Sequence, residues 1–153
     1  MKKVIIAALV LFASFPCSSL EVNPNAGLQW FRRTLKNSDL VAASTSHNLR
    51  LMTLPKGGVV HGVKIKHSQS FSGGAISAYT LSVGITGNNA KYASAFNIKQ
   101  APSATAFQMT SDFGSESHDL DVDLTVSALS TGANLSVSTS GVVDVWVLLS
   151  VAH

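Results

Sequence analysis

The 153-residue sequence contains one cysteine, Cys17. It lies in a stretch that reads as a leader, so the rest of the chain has none. A disulfide framework, thiolate metal sites and cysteine catalysis are thereby excluded from the folded part. Charge is scarce as well, with only 12% of residues being Asp, Glu, Lys or Arg. A nucleic-acid binder neutralises phosphates with a dense Lys/Arg footprint, and none is present. No G-x-S-x-G elbow occurs. Glu116 is the one glutamate beyond the N-terminal 28 residues, which leaves glycosidase chemistry without an obvious carboxylate pair. Past the leader, no 3.6-residue apolar stripe persists for three turns, so long amphipathic helices are absent. These gaps point to a non-enzymatic, all-β chain that carries no cofactor.

Met1, Lys2 and Lys3 form a short positive segment, residues 4–15 are apolar, and Pro16, Cys17, Ser18 and Ser19 add a break with small residues. This is the form of a secretory leader, too short to span a bilayer, with cleavage expected after Ser19. The alternatives are a buried N-terminal helix or an uncleaved anchor. Phe15 and Pro16 immediately before Cys17 argue against its lipidation. Residues 20–28 contain Asn23, Pro24, Asn25 and Gly27 and read as a linker or arm. One domain, 29–153, remains. A chain of that size can bury roughly two-thirds of its unfolded surface without staples. After cleavage no membrane association is expected, and the protein would be secreted or carried on a particle.

Without the two leader lysines the chain holds nine basic and eight acidic groups, but they are unevenly placed. Residues 20–100 carry all nine basic groups against Glu21 and Asp39. Residues 101–153 carry six acids and no Lys or Arg. Either the two halves interleave in one fold and pair across strands, or a basic face of one copy meets an acidic face of the next.

Alternation with a period of two recurs along the chain. Residues 29–35, 39–43 and 47–54 read as short strands. Pro55-Lys56-Gly57-Gly58 is a turn. In 59–67, Val59, His61, Val63, Ile65 and His67 fall on one face. In 76–86, Tyr79, Leu81, Val83 and Ile85 do so, before a turn at Gly87, Asn88 and Asn89. Short strands follow around Phe96 and Ile98 and around Phe107 and Met109, with a loop at 112–117. In 118–129, Leu120, Val122, Leu124 and Val126 alternate with Asp119, Asp121, Asp123 and Thr125. Residues 135–137 form another short strand. The segment 142–151 is apolar on both faces, which marks a central strand. Strands at this spacing, separated by Gly, Asn and Ser, predict an antiparallel β-sandwich of the jelly-roll kind.

Two segments resemble a pattern found in small virion structural proteins of tailed bacteriophages. In 54–96, a Leu-Pro turn leads into Gly62-Val63-Lys64-Ile65-Lys66-His67. Phe71-Ser72-Gly73-Gly74-Ala75-Ile76, Ser82-Val83-Gly84-Ile85 and Lys91-Tyr92 follow. Residues 129–150 are similar to the closing strands of the same proteins. The resemblance covers nearly half of the chain and implies a jelly-roll-like fold with a place on a particle, and no catalytic residues. The leader departs from that pattern.

Four constellations remain as candidates for chemistry or contact. Asp119, Asp121 and Asp123, two apart on a strand, would line one face about 7 Å from each other. Such a row attracts cations. Calcium is one, although a straight strand does not wrap an ion that takes roughly six to eight oxygens. A ladder paired with Lys64 and Lys66 is the other, contributing about 0–1 kcal/mol per exposed pair. His61 and His67 lie about 20 Å apart on one strand and cannot share a metal, while His118, next to Asp119, could join a neighbour although nothing requires it, and His47 and His153 add no further ligand cluster. Among Trp30, Phe31, Tyr79, Tyr92 and Trp146, only Tyr92, beside Lys91, reads as an exposed sugar-stacking residue. The function expected is that of a structural subunit assembling with itself or with other structural proteins, Arg32, Arg33 and Lys36 facing Asp119, Asp121 and Asp123 of a neighbour. The alternatives are a secreted module binding a glycan or receptor through Tyr92, and a calcium-stabilised secreted domain.

Overall fold

The computed structural model describes residues 27–109 and 117–151. The expected leader, and the arm up to residue 26, lie outside the described residues, as does the loop expected at 112–117 apart from Ser117. Eight strands run through the described part: β1 (Gln29–Lys36), β2 (Ser46–Leu54), β3 (Gly58–Ser72), β4 (Ala78–Ile85), β5 (Asn88–Asn97), β6 (Gln108–Met109), β7 (Val122–Thr131) and β8 (Ser140–Val151). They form two four-stranded sheets, ordered β1-β8-β3-β6 and β2-β7-β4-β5, with every pairing antiparallel.

The pairing has a simple logic. β1 joins β8, β2 joins β7, β3 joins β6 and β4 joins β5. The chain is thus one long hairpin, closed at the β4–β5 turn and rolled so that β8 also meets β3 and β7 also meets β4. This is a jelly roll, as the strand spacing predicted. The turn that closes the hairpin is Thr86-Gly87, with Gly87 at φ 88, so Asn88 and Asn89 open β5 instead of shaping the turn.

The apolar residues on the inner side of each strand build one core, with Leu35, Leu54, Ile65, Phe71, Tyr79 and Leu149 fully buried. β8 lies between β1 and β3 and buries Val143, Val145, Val147 and Leu149, as its two apolar faces predicted.

Four expectations need correction. The even alternation expected along 59–67 is broken by a bulge between Val60 and Gly62. The extra residue shifts the phase, so Val60 is buried with Val63, Ile65 and His67, while Val59 and His61 are half-exposed. Residues 39–43 are not a strand. A single 3-10 turn at Asn37–Asp39 precedes them, with the Asp39 carboxylate accepting the Lys36 backbone N–H at 2.8 Å. Leu135–Val137 is a second 3-10 turn. Finally, β7 begins at Val122, leaving Leu120 75% exposed, and Thr125 is buried.

The edges β1 and β2 lie side by side, and Arg33 ties them. A bulge at Leu51 interrupts the β2–β7 ladder. The Arg33 guanidinium donates from Nη1 to the carbonyls of Arg50 and Leu51, at 2.8 and 3.0 Å. One cation therefore satisfies two acceptors at the bulge and bridges the sheets. Arg33→Met keeps the stem and removes the donors. It is expected to lower stability by about 1–3 kcal/mol, read as the urea midpoint. An unchanged midpoint would mean that solvent serves those carbonyls equally well.

Candidate interaction surface

The outer faces of the two sheets differ in chemistry. On the second sheet the outward positions of adjacent strands pair Asn48 with Ser127 and Ser127 with Ser82, and Leu129 with Ser46 and Thr80. Ser127 donates to Asn48 Oδ1 at 2.7 Å. Hydroxyl and amide groups dominate, with one ion pair, Arg50 to Asp123 at 3.6 Å. A depression of about 280 Å³ at one end is lined by Asn48, Thr86, Gly87, Asn89 and Thr125, none of them titratable.

The outer face of the first sheet combines cations and large apolar groups. The register places Arg32, Trp146, Lys64 and Met109 in one row across all four strands. Trp30 and Leu148 form the row on one side, and Thr34, Asp144 and Lys66 the row on the other. The Trp146 ring lies between two cations, with Arg32 Cζ and Lys64 Nζ each 5.3 Å from its centroid. Lys64 Nζ is also 5.1 Å from the Phe107 ring. Exposed contacts of this kind contribute about 0.5–1 kcal/mol each. Trp30, Phe107 and Met109 are exposed at the margins.

Asp144 organises this face. Arg32 grips it at both oxygens, Nε to Oδ1 at 3.1 Å and Nη2 to Oδ2 at 2.8 Å, and the Thr34 hydroxyl donates to Oδ1. Partial burial works to raise the Asp144 pKa, but the hydrogen bonds from Arg32 and Thr34, with the charge of Arg32, outweigh it and hold it below the usual carboxylate range. The hydrogen bonds that Arg32 donates to Asp144, followed by the charge of Asp144, raise the Arg32 pKa in turn. Among the described residues Lys36, Lys64 and Lys66 form no ion pair, so the face keeps a positive excess.

The six contact residues expected from sequence do not form two opposed clusters. Arg32 is engaged by Asp144 and Arg33 by the β2 carbonyls, and Lys36 has no ion-pair partner among the described residues. Asp123 lies on β7, where it accepts the Thr53 hydroxyl at 2.9 Å and meets Arg50. Asp121 accepts the Lys56 backbone N–H at 2.8 Å. The ladder of these acids with Lys64 and Lys66 is not formed, because β3 and β7 belong to different sheets. Asp121 and Asp123 hold separate partners, and among the described residues no group of three or more His, Cys, Asp or Glu side chains could hold a metal ion.

Among the described residues the histidines are also dispersed. His61 Nε2 lies 2.6 Å from Ser150 Oγ, and His67 Nε2 donates to the Gln100 carbonyl at 2.8 Å. His118 Nε2 meets the Tyr92 hydroxyl at 2.8 Å. Tyr92 itself is buried, 6% exposed. This overturns its expected exposure, since a covered ring cannot stack on a sugar. Sequence reasoning missed the Arg32–Trp146–Lys64 row. The apolar outer side of 142–151 was its one visible signal, for a tryptophan on a sheet's outer face needs a cover.

Fold and surface together define a jelly-roll domain whose distinctive chemistry lies on a sheet face and not in a cleft. Solved structures share that fold. A chain of the cyanophage Pam1 capsid asymmetric unit matches with a TM-score of 0.60 at 19% identity, over 93% of this chain and all of that one. A chain from the capsid of Ralstonia phage GP4 matches at 0.55 and 16% identity, over 86% of this chain and 90% of that one. A chain from the acidic stable capsid structure of the Helicobacter pylori bacteriophage KHP30 matches at 0.52 and 15% identity, over 81% and 87%. At these identities the likeness is one of fold. No protein-family model matches the sequence, and no curated protein does.

Proposed function

We propose that this protein is a non-enzymatic structural subunit of a bacteriophage particle, assembling with copies of itself or with other particle proteins. One observation carries the reading: the jelly roll corresponds, over 81–93% of its length, to chains from three phage capsid structures. The sites support it. Among the described residues neither the histidines nor the aspartates converge on a shared cleft, and the depression on the second sheet holds no acid or base. The first sheet offers a broad face of aromatic and cationic groups suited to protein contact. A sugar-binding reading has lost Tyr92 to the core.

Particles purified on a density gradient from cells making this protein with its neighbouring genes provide the test. The chain is expected at a fixed ratio to the major shell protein, and to remain through a second gradient. Particles that form without it, while it stays in the soluble fraction, would overturn the proposal.

A further inference from the structure

We infer that the outer face of the first sheet docks onto the loop 117–121 of a second copy, so that the protein assembles head to tail; this rests on the structural role proposed above. The loop is built as a knob. Leu120 projects at its tip, 75% exposed, with Asp119 and Asp121 on either side. The base of the knob is pinned. The Gly57 N–H donates to the His118 carbonyl at 2.8 Å, the His118 N–H to the Gly58 carbonyl at 3.4 Å, and the Lys56 N–H to Asp121 Oδ1 at 2.8 Å. His118 is further held by Tyr92. An exposed leucine on a loop so firmly held is presented, not left loose. Among the described residues neither Asp119 nor Asp121 forms an ion pair.

The first sheet presents the matching chemistry. Its centre is apolar, with Trp146, Leu148 and Trp30 adjacent in register. Its surrounding cations, Lys36, Lys64 and Lys66, have no carboxylate partner among the described residues. An apolar tip flanked by two acids is complementary to an apolar patch flanked by unpaired lysines, in both charge and polarity. The knob does not cover that patch in its own molecule, for Leu120 is 75% exposed. It is fixed beside Gly58, while Gly62, the partner of Leu148, and Lys64, the partner of Trp146, lie about 13 and 20 Å further along β3. The contact is therefore between copies and heterologous, and such contacts build rings or open chains.

Heterologous contact gives a test that a symmetric dimer would fail. The knob variant is Asp119→Asn with Leu120→Ser, and the face variant is Lys64→Glu with Lys66→Gln. Asp119 and Leu120 are exposed and Lys64 and Lys66 half-exposed, so the knob variant is expected to melt within about a degree of the parent, and the face variant several degrees lower because Lys64 gives up its contacts with Trp146 and Phe107 while the fold is kept. In sedimentation velocity at low salt the parent is expected to grow in mass with concentration. Each variant alone is expected to bind itself about tenfold or more weakly, and raising the salt should weaken the parent too, since exposed charges are screened within roughly 10 Å at 0.1 M. An equal mixture of the two variants retains one intact knob and one intact face per pair, so it should form dimers and stop there. A parent that stays monomeric at low salt would overturn the inference and show that another particle protein covers the face. So would a knob variant that assembles like the parent, or a mixture that forms no dimer. None of these results touches incorporation into particles, which the gradient experiment reads separately.

Discussion

Gly141→Ala is expected to cost about 3–5 kcal/mol. Two costs combine at this position. Gly141 has φ 144, a conformation that L side chains rarely adopt. A methyl there would also stand 2.3–2.5 Å from three ring carbons of Phe71. The ring cannot retreat, because Phe71 is fully buried and packs edge-on against Tyr79 with centroids 5.1 Å apart. Domains of this size retain only about 5–15 kcal/mol of net stability, so the variant should lose roughly a fifth of it or more. The urea midpoint of Gly141→Ala against the parent is the measurement. Gly87→Ala is the control, with φ 88 but open space around its methyl, and should cost far less. Equal midpoints for the two would mean that the core yields to the methyl and that the packing argument fails.

The second large effect is alkaline. The Tyr79 side chain is fully buried and its hydroxyl has no hydrogen-bond partner among the described residues. Burial pushes its pKa from 10 up to about 12. Between those values the unfolded chain releases the phenolic proton and the folded chain keeps it. The unfolded state then binds fewer protons, so stability falls as pH rises through this window. Two pH units correspond to about 2–3 kcal/mol. Tyr79→Phe removes the titration, and it also removes a buried hydroxyl without a partner, which by itself costs about 1–3 kcal/mol. The variant should therefore match or exceed the parent at pH 7 and lose much less stability by pH 11.5. Parallel losses in the two proteins would assign the alkaline effect to other groups.

The sequence made some elements of this fold legible and hid others, for identifiable reasons. β8 was readable as central because residues on both its sides are apolar, and only an interior strand is covered twice. The Val60–Gly62 bulge was not, because the apolar residues of 59–67 fit an unbroken alternation; a glycine within the strand was its one trace. The Asp119–Asp123 alternation continues smoothly into β7, yet the ladder begins only at Val122. Backbone bonds to the β2–β3 turn hold residue 118, and a pattern of side chains carries no mark of where those bonds end. Tyr92 looked exposed beside Lys91 until His118, 26 residues further on, was seen to meet it. Charge is equally opaque in the sequence. Clustered charges say nothing of which ones the fold neutralises, and Asp144 reaches Arg32 across 112 residues of sequence.

The hairpin that pairs β1 with β8 sets the order in which the protein can mature. Gln29 lies opposite Leu149, and β8 is also the strand that joins β1 to β3. Until it is synthesised, the first sheet has no middle: β1 has no partner in it and β3 has only the two-residue β6, so both keep an open hydrogen-bonding edge. Closing so long a segment carries a high entropic toll before any contact rewards it, which makes acquisition of structure slow and concerted. The nascent chain is thus most vulnerable to aggregation just before its eighth strand arrives, and a carrier or chaperone that shields β1 and β3 in that interval would govern the yield of folded subunits.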